Sequence, residues 1–461
     1  MRKPMAPANS ATDIQSTAAE RREAGQALRQ LVPRRAHGVW SPSHRRPDPV
    51  RTLIETGRHR IQALLPIRYK RMRADAFAFM RGGAAIMAAD LAATPAAGLP
   101  VQACGDCHLA NFGTYASPEG TPVFDINDFD ETLAAPFEWD LKRLAASFAV
   151  AARSRALPER GARRLAASAC RAYRKRMSEL AAMAPLDAWR SRIDVADVLT
   201  MIGDRKLRER QARHLREATE ANRENYPKLI ERRRGGWRIR IAEPYTFPLA
   251  GYGDGTLETA ARAAFASYRS SLRPEQALLL QRYRLTDLAF KVVGVGSVGT
   301  FCAIGLFTTA DGDVLLLQLK EAQRSALAPF AGPSPYANHG LRVVTGQRIM
   351  QAVTDPFLGW TRDDGDDRPC YVRQLKDSRM AMLGETLADA ALEAYAVLCG
   401  RTLARAHARS QDAAGLSGYM GASGTFDAAI AEFAMRYADQ IEHDYRMFLD
   451  AIAERRIEAA P

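Results

Sequence analysis

The chain has 461 residues, 47% hydrophobic and 25% charged, which excludes global disorder and allows two or three domains. Lys and Arg number 65 against 52 Asp and Glu, a net charge of +13 that favours acidic partners without choosing among nucleotides, phosphorylated substrates and nucleic acid. No apolar run reaches the ~18–20 residues of a membrane span, and six cysteines do not make a disulfide scaffold, so a reducing cytoplasm is the expected setting.

Residues 1–48 read as a polar, mobile arm in which Pro33, Pro42 and Pro47 oppose helix. A helical pattern runs from Arg51 to Leu91. Arg58, Arg60, Arg68, Lys70, Arg71 and Arg73 crowd its first half and read as a solvated basic face. Short strands follow between Pro100 and Glu131: VQACGD, NFGTY, the turn SPEG, then TPVFDIND. Helix returns from Pro136 to about Ile230. The strongly basic stretch 205–240 has almost no core-type residues and reads as a long exposed helix or arm. A second strand block opens near Leu285 with LAFKVVGVGSVGTFCAIGLFT, continues through DVLLLQLKEA and closes with CYVRQLKD at 370–377. Residues 382–410 and about 425–457 are helical. This order lacks the βαβ alternation of a doubly wound sheet.

The sharpest chemical signal is acidic. Gly105-Asp106-Cys107-His108-Leu109-Ala110-Asn111 is followed by Phe124-Asp125-Ile126-Asn127-Asp128-Phe129-Asp130-Glu131, five carboxylates and two carboxamides on adjacent strand ends. Such a cluster repels itself unless a cation or a proton relieves it. Its hard oxygens suit Mg²⁺, which takes one or two carboxylates plus phosphate oxygens. An Asp with an Asn five residues later is the spacing of a phosphotransferase catalytic loop. Asp106 takes the place of the base and Asn111 that of a metal ligand. Asp125 takes the place of the second ligand, with Asp128 competing for it. His108 reads as a base, a ligand or, more simply, a residue that orients the loop. Cys104 and Cys107 lack the second pair of a zinc site and read as core thiols.

Gly294-Val295-Gly296-Ser297-Val298-Gly299 is G-x-G-x-x-G. A dinucleotide site would open a helix at the third glycine. Here FCAIGLF continues as strand, so the loop reads as a phosphate lid between two strands, with Gly294, Gly296, Ser297 and Gly299 in it. Lys320 ends the apolar run of the next strand, where it can reach the α- and β-phosphates.

These residues resemble the bacterial domain of unknown function 2252, through FAFMRGGAAIMAADL, GDCHLANFG, VFDINDFDETLAAPFEWDLKRLAAS, KVVGVGSVGT, LQLKEA, VVTGQRIMQAVTDPFLGW, YVRQLKD and LARAHARS. They also look like aminoglycoside phosphotransferases and other protein-kinase-like enzymes, which carry G-D-x-H-x-x-N, a strand ending in Asp, and an Asp-Leu pair matched here by Asp140-Leu141. In those enzymes the glycine loop and its Lys come first; here they come last. The resemblance therefore implies a helix-rich α+β, protein-kinase-like two-lobe fold that is circularly permuted, with a small antiparallel sheet. The expected division is an arm over 1–48, a helical lobe with the catalytic-type loop over 49–280, a glycine-loop sheet lobe over 281–380, and C-terminal helices over 381–461 that pack on the helical lobe. It implies ATP and Mg²⁺ as cofactors and a small-molecule or protein hydroxyl as acceptor. The acidic residue expected in the V-V-x-G-Q-R stretch to pair with Lys320 is Thr345, leaving Glu321 and Gln347 as substitutes. Three functions follow: a phosphotransferase, a nucleotide-binding pseudokinase or nucleotidyl transferase, and a nucleic-acid-binding protein, the last supported by charge alone.

Overall fold

A computed structural model gives the structure of residues 16–119, 121–194, 229–249, 256–361, 368–375 and 389–460, with isolated positions between 205 and 226. The architecture is α+β and helix-rich, with small antiparallel sheets.

The helical core is organised by Phe137–Ser154, in which every side chain from Phe137 to Ala152 is buried. A helix enclosed on all sides needs neighbours on all sides. Glu159–Leu180 and Thr425–Ala453 supply two of them. Leu392–Ala408 packs closely on Glu159–Leu180, because Gly400 lets the backbones meet: a Cβ there would collide with the carbonyl of Ala169. Two hairpin-like pairs sit against this core. β1 (Pro100–Ala103) pairs with β4 (Leu133–Pro136), and β2 (Phe112–Ala116) with β3 (Pro122–Ile126).

The larger sheet has six antiparallel strands. β7 (Thr246–Pro248), β8 (Arg284–Lys291), β9 (Cys302–Thr308), β10 (Val314–Glu321) and β12 (Cys370–Gln374) lie side by side in the order β7-β8-β9-β10-β12, and β11 (Gly359–Trp360) closes the far edge. Side chains alternate between the faces of a strand. Leu315, Leu317 and Leu319 of β10 join the cluster that holds Phe265 and Tyr268, while Leu316 joins a second cluster with Ile304 and Leu306. Gln318 and Lys320 share the face of Leu316. Register places Tyr371 opposite Lys320 and Arg373 opposite Gln318, so four polar side chains lie together on that face, three of them buried.

Several expectations are corrected. Residues 18–48 are not an arm. Ala18–Leu31 is a helix with a Thr17/Glu20 capping box, and it packs on Ala413–Met420. Gly25 makes that approach possible, since a Cβ would strike the carbonyl of Gly415; residues 1–15 lie outside the described part. The helical pattern of 51–91 is four short helices, Pro49–Gly57, Leu65–Met72, Ala76–Gly82 and Ala84–Ala92. Pro66 opens one, Asp75 caps the next and Gly83 separates the last two. Most of the basic stretch 205–240 is outside the described residues. Its end is no helix but a hairpin, β5 (Ile230–Arg233) with β6 (Gly236–Ile239). The boundary at 280 also moves. Phe247, Ala261, Phe265 and Tyr268 are core residues of the sheet region, so 246–280 belongs with the strands. Residues 376–388 are outside the described part, and the following helix is Leu392–Ala408.

Candidate functional site

A cavity of about 460 Å³ lies where the catalytic-type loop, the glycine loop and the first helices meet, within the usual range for small-molecule sites. Asp106, His108, Asn111 and Asp128 line it on one side, and Gly294, Gly296 and Ser297 on another. Residues almost 190 positions apart in the chain thus share one cleft.

The loop after β1 is built from below. The Asp140 carboxylate accepts the amides of Cys104 and Gly105 at 2.8 and 3.0 Å, and His407 Nε2 lies 3.2 Å from it. Gly105 turns the chain at φ +85°, and a side chain there would strike the carbonyl of Glu131. Tyr395 donates to the carbonyls of Leu109 and Phe112 at 2.8 and 3.0 Å, so Leu392–Ala408 supports the loop directly. Cys104, Cys107 and Asp140 bring their ligating atoms within 4.8 Å of one another, but the carboxylate is already engaged. Burial pushes both thiols up, Cys107 to about 11. They are packing residues.

Asp106 Oδ1 accepts from Arg143 Nε at 2.6 Å, and Arg143 also donates to the carbonyl of Met80 at 3.0 Å. Burial raises the Asp106 carboxyl, Arg143 opposes this, and neighbouring Asp128 adds to the rise. Asn111 Nδ2 donates to the Asp106 carbonyl at 2.6 Å, which leaves Oδ1 as the atom available to a ligand. His108 Nε2 is 3.7 Å from Asp106 Oδ2, too far for a hydrogen bond. Burial, with the charges of Arg81 and Arg143, holds its pKa far below the ordinary histidine range. The ring lies edge-on to Phe77, and its Nδ1 is buried without a hydrogen-bond partner.

The two candidate ligands after β3 differ sharply. Asp125 is inside the protein. It is ion-paired to Arg405, and it accepts the amides of Ile126 and Ala352, both at 2.9 Å. It does not line the cavity, so its place as a metal ligand is corrected: its oxygens are spent on the fold. Asp128 lines the cavity with its side chain 35% exposed.

Lys320 is buried and ion-paired to Asp130, with Asp128 at 4.0 Å. Neither Glu321 nor Gln347 is its partner. Glu321 accepts the Phe301 amide at 2.9 Å, and Gln347 donates to Gln351 at 2.9 Å. Burial would lower the Lys320 pKa, but Asp128 and Asp130 outweigh it and hold it high. Burial would likewise raise the Asp130 carboxyl, but Lys320 and the Tyr371 hydroxyl outweigh that and hold it down. Asp130 accepts from the Tyr371 hydroxyl at 2.6 Å and from the Ser297 hydroxyl at 3.2 Å. Asp130 therefore ties the sheet, the glycine loop and the acidic loop together.

The glycine loop is strand–loop–strand between β8 and β9. Arg60 Nη1 donates to the carbonyls of Gly296 and Val298, both at 2.7 Å, Arg71 donates to that of Gly294, and the Ile61 amide donates to that of Gly299 at 2.7 Å. Gly299 packs on Arg60 and stays outside the cavity lining. The supposed solvated basic face is thus divided. Arg58, Lys70 and Arg73 are exposed, whereas Arg60, Arg68 and Arg71 turn inward to carbonyls of the loop and the neighbouring helix. Asp130, Arg143 and these arginines are the site residues that sequence reasoning missed. Arg143 carried one signal, its place one helical turn beyond Asp140 on a buried helix.

A family model described as an uncharacterized protein conserved in bacteria, DUF2252, matches residues 60–451. No curated protein and no solved structure matches the chain. Among the described residues no helix is long and apolar enough to cross a membrane.

Proposed function

Taking as premise that the chain belongs to the bacterial family of unknown function 2252, we propose that it is a Mg²⁺- and ATP-dependent phosphotransferase with a permuted, protein-kinase-like arrangement. The observation that carries this is the convergence of Asp106, Asn111 and Asp128 with the glycine loop on one cavity, over a Lys320–Asp130 pair. Phosphoryl transfer asks a protein mainly to position groups and offset charge, and this cavity has a residue for each task.

Asp106 is the base. Arg143 fixes Oδ1, and the raised carboxyl makes the group a better proton acceptor from an incoming hydroxyl than an ordinary Asp. Asp128 and the Asn111 Oδ1 fit a hard divalent cation, being a half-exposed carboxylate whose Oδ1 accepts only the Asp130 amide at 3.2 Å and a carboxamide oxygen whose amide nitrogen is already engaged. A bound Mg²⁺ supplies charge neutralisation to the phosphates. Lys320 remains cationic, buried behind the cavity wall and outside its lining, where it holds the lining carboxylate of Asp130, and Asp130 answers the absence of an acid at Thr345. That favours an active enzyme over a pseudokinase. The same parts serve nucleotidyl transfer, which differs in the phosphorus attacked.

The test is calorimetry of ATP binding to the full chain with Mg²⁺ or with EDTA. We expect Mg²⁺ to tighten ATP binding by about tenfold or more, about 1.4 kcal/mol, and Asp128→Asn to abolish that difference. Full metal dependence in Asp128→Asn removes Asp128 as a ligand. Absence of ATP binding under both conditions removes the phosphotransferase reading.

A further inference from the structure

Arg68, Arg143, Arg342 and Arg405 are among the most completely buried large side chains. Three are matched. Arg143 and Arg405 meet Asp106 and Asp125, and Arg342 donates to the carbonyls of Thr132, Asp130 and Gln323 at 2.6 to 2.8 Å. Arg68 is not. Its Nη2 donates to the Gly82 carbonyl at 2.8 Å, while Nε and Nη1 are buried with no partner. The charge that bears most on it is another cation, Arg60, with the Tyr69 hydroxyl the one group acting in its favour. Burial, together with Arg60, brings the Arg68 pKa down to about 9, so the group is still a cation at pH 7. A buried guanidinium with two unused donors and no carboxylate is costly to keep.

Its position gives it a use. Arg68 lines the cavity together with Arg60 and Arg81. Arg60 has its own buried, unpartnered Nε, and burial lowers its pKa against the opposing pull of Glu131, Asp130 and Glu321. Arg81 bears electrostatically on Asp106 and His108. The carbonyl that fixes Arg68 belongs to Gly82, the residue next to Arg81 in the chain. Planar guanidinium forks match the oxygens of phosphate and carboxylate.

We propose that Arg68, with Arg60 and Arg81, forms an oxyanion site that takes a phosphate-class group without a metal ion. This stands on the arginines and not on Asp128 or Asn111. Under the phosphotransferase reading its guest is either the polyphosphate chain of the nucleotide or an anionic group of the acceptor.

The experiment is a calorimetric titration of inorganic pyrophosphate into the full chain in EDTA. Wild type binds, Arg68→Met weakens binding by about tenfold or more, and Arg68→Lys, which keeps the charge but loses the fork, falls between them. Because Arg68 is buried, thermal melts check that its variants fold, and Arg81→Gln, at a partly exposed position, gives a second variant expected to weaken binding. No binding by wild type, or unchanged binding by folded Arg68→Met and by Arg81→Gln, overturns the site. If ATP displaces pyrophosphate, the guest is the nucleotide; if both bind together, it is the acceptor. Pyrophosphate binding without any Mg²⁺-dependent ATP binding leaves this site standing and removes the phosphotransferase reading alone.

Discussion

Asp106→Asn is expected to lower turnover by about a hundredfold or more, the scale of a lost general base, while leaving Mg-ATP affinity nearly intact. The substitution keeps an oxygen for Arg143 and removes only the capacity to take a proton. The pH dependence follows from the same carboxyl. Burial and Asp128 raise its pKa against the pull of Arg143, so the base form is lost as pH falls through a value above that of an ordinary Asp. Wild-type turnover should therefore decline on the acid side at a higher pH than a solvent-exposed Asp would give. Steady-state rates over a pH series, paired with calorimetry of ATP, check both. Unchanged turnover in Asp106→Asn removes Asp106 as the base.

Arg405→Met is expected to cost about 3–5 kcal/mol of stability, the usual loss when one partner of a buried ion pair is removed. Asp125 would be left buried without its ion-pair partner, holding the amides of Ile126 and Ala352 beside the Tyr115 hydroxyl. Arg405 also donates to the Met350 carbonyl at 2.7 Å, so the loss reaches the junction between Leu392–Ala408 and His339–Met350. Asp125→Asn should cost less, because its carboxamide oxygen still accepts from Arg405, and it should leave the metal dependence of ATP binding unchanged. Urea and thermal unfolding of the two variants, with ATP calorimetry on Asp125→Asn, distinguish a structural Asp125 from a ligand.

The contrast between Asp125 and Asp128 shows how far the sequence was readable. Both lie near the end of one strand-like run, Val123 to Asp128. Asp125 lies inside β3, between Phe124 and Ile126, where a carboxylate can be kept only by a buried partner; Asp128 lies beyond the strand end, where the chain is open to the cavity. The partner that decides it, Arg405, is 280 residues away, and spacing does not reveal such a pair. The same holds for the segment 58–73. Arg58 and Arg68 are alike as letters, and only the carbonyl of Gly82 and the returning glycine loop separate the exposed from the buried. Local signals fared better. The five-residue step from Asp106 to Asn111 does bring both to one cavity, and the strand–loop–strand form of 284–308 follows from FCAIGLF. The helix Ala18–Leu31 was missed because its composition is polar; its docking depends on Gly25 meeting Gly415, a contact between backbones that hydropathy does not register.

The most direct measurement of the central claim is transfer of radiolabelled γ-phosphate by the wild-type chain, with Mg²⁺ and with EDTA, to water and to a panel of hydroxyl compounds with and without an anionic group. The account predicts label released or transferred only with Mg²⁺, and lost in Asp106→Asn. Label moved equally in EDTA, or equally by wild type and Asp106→Asn, would contradict it.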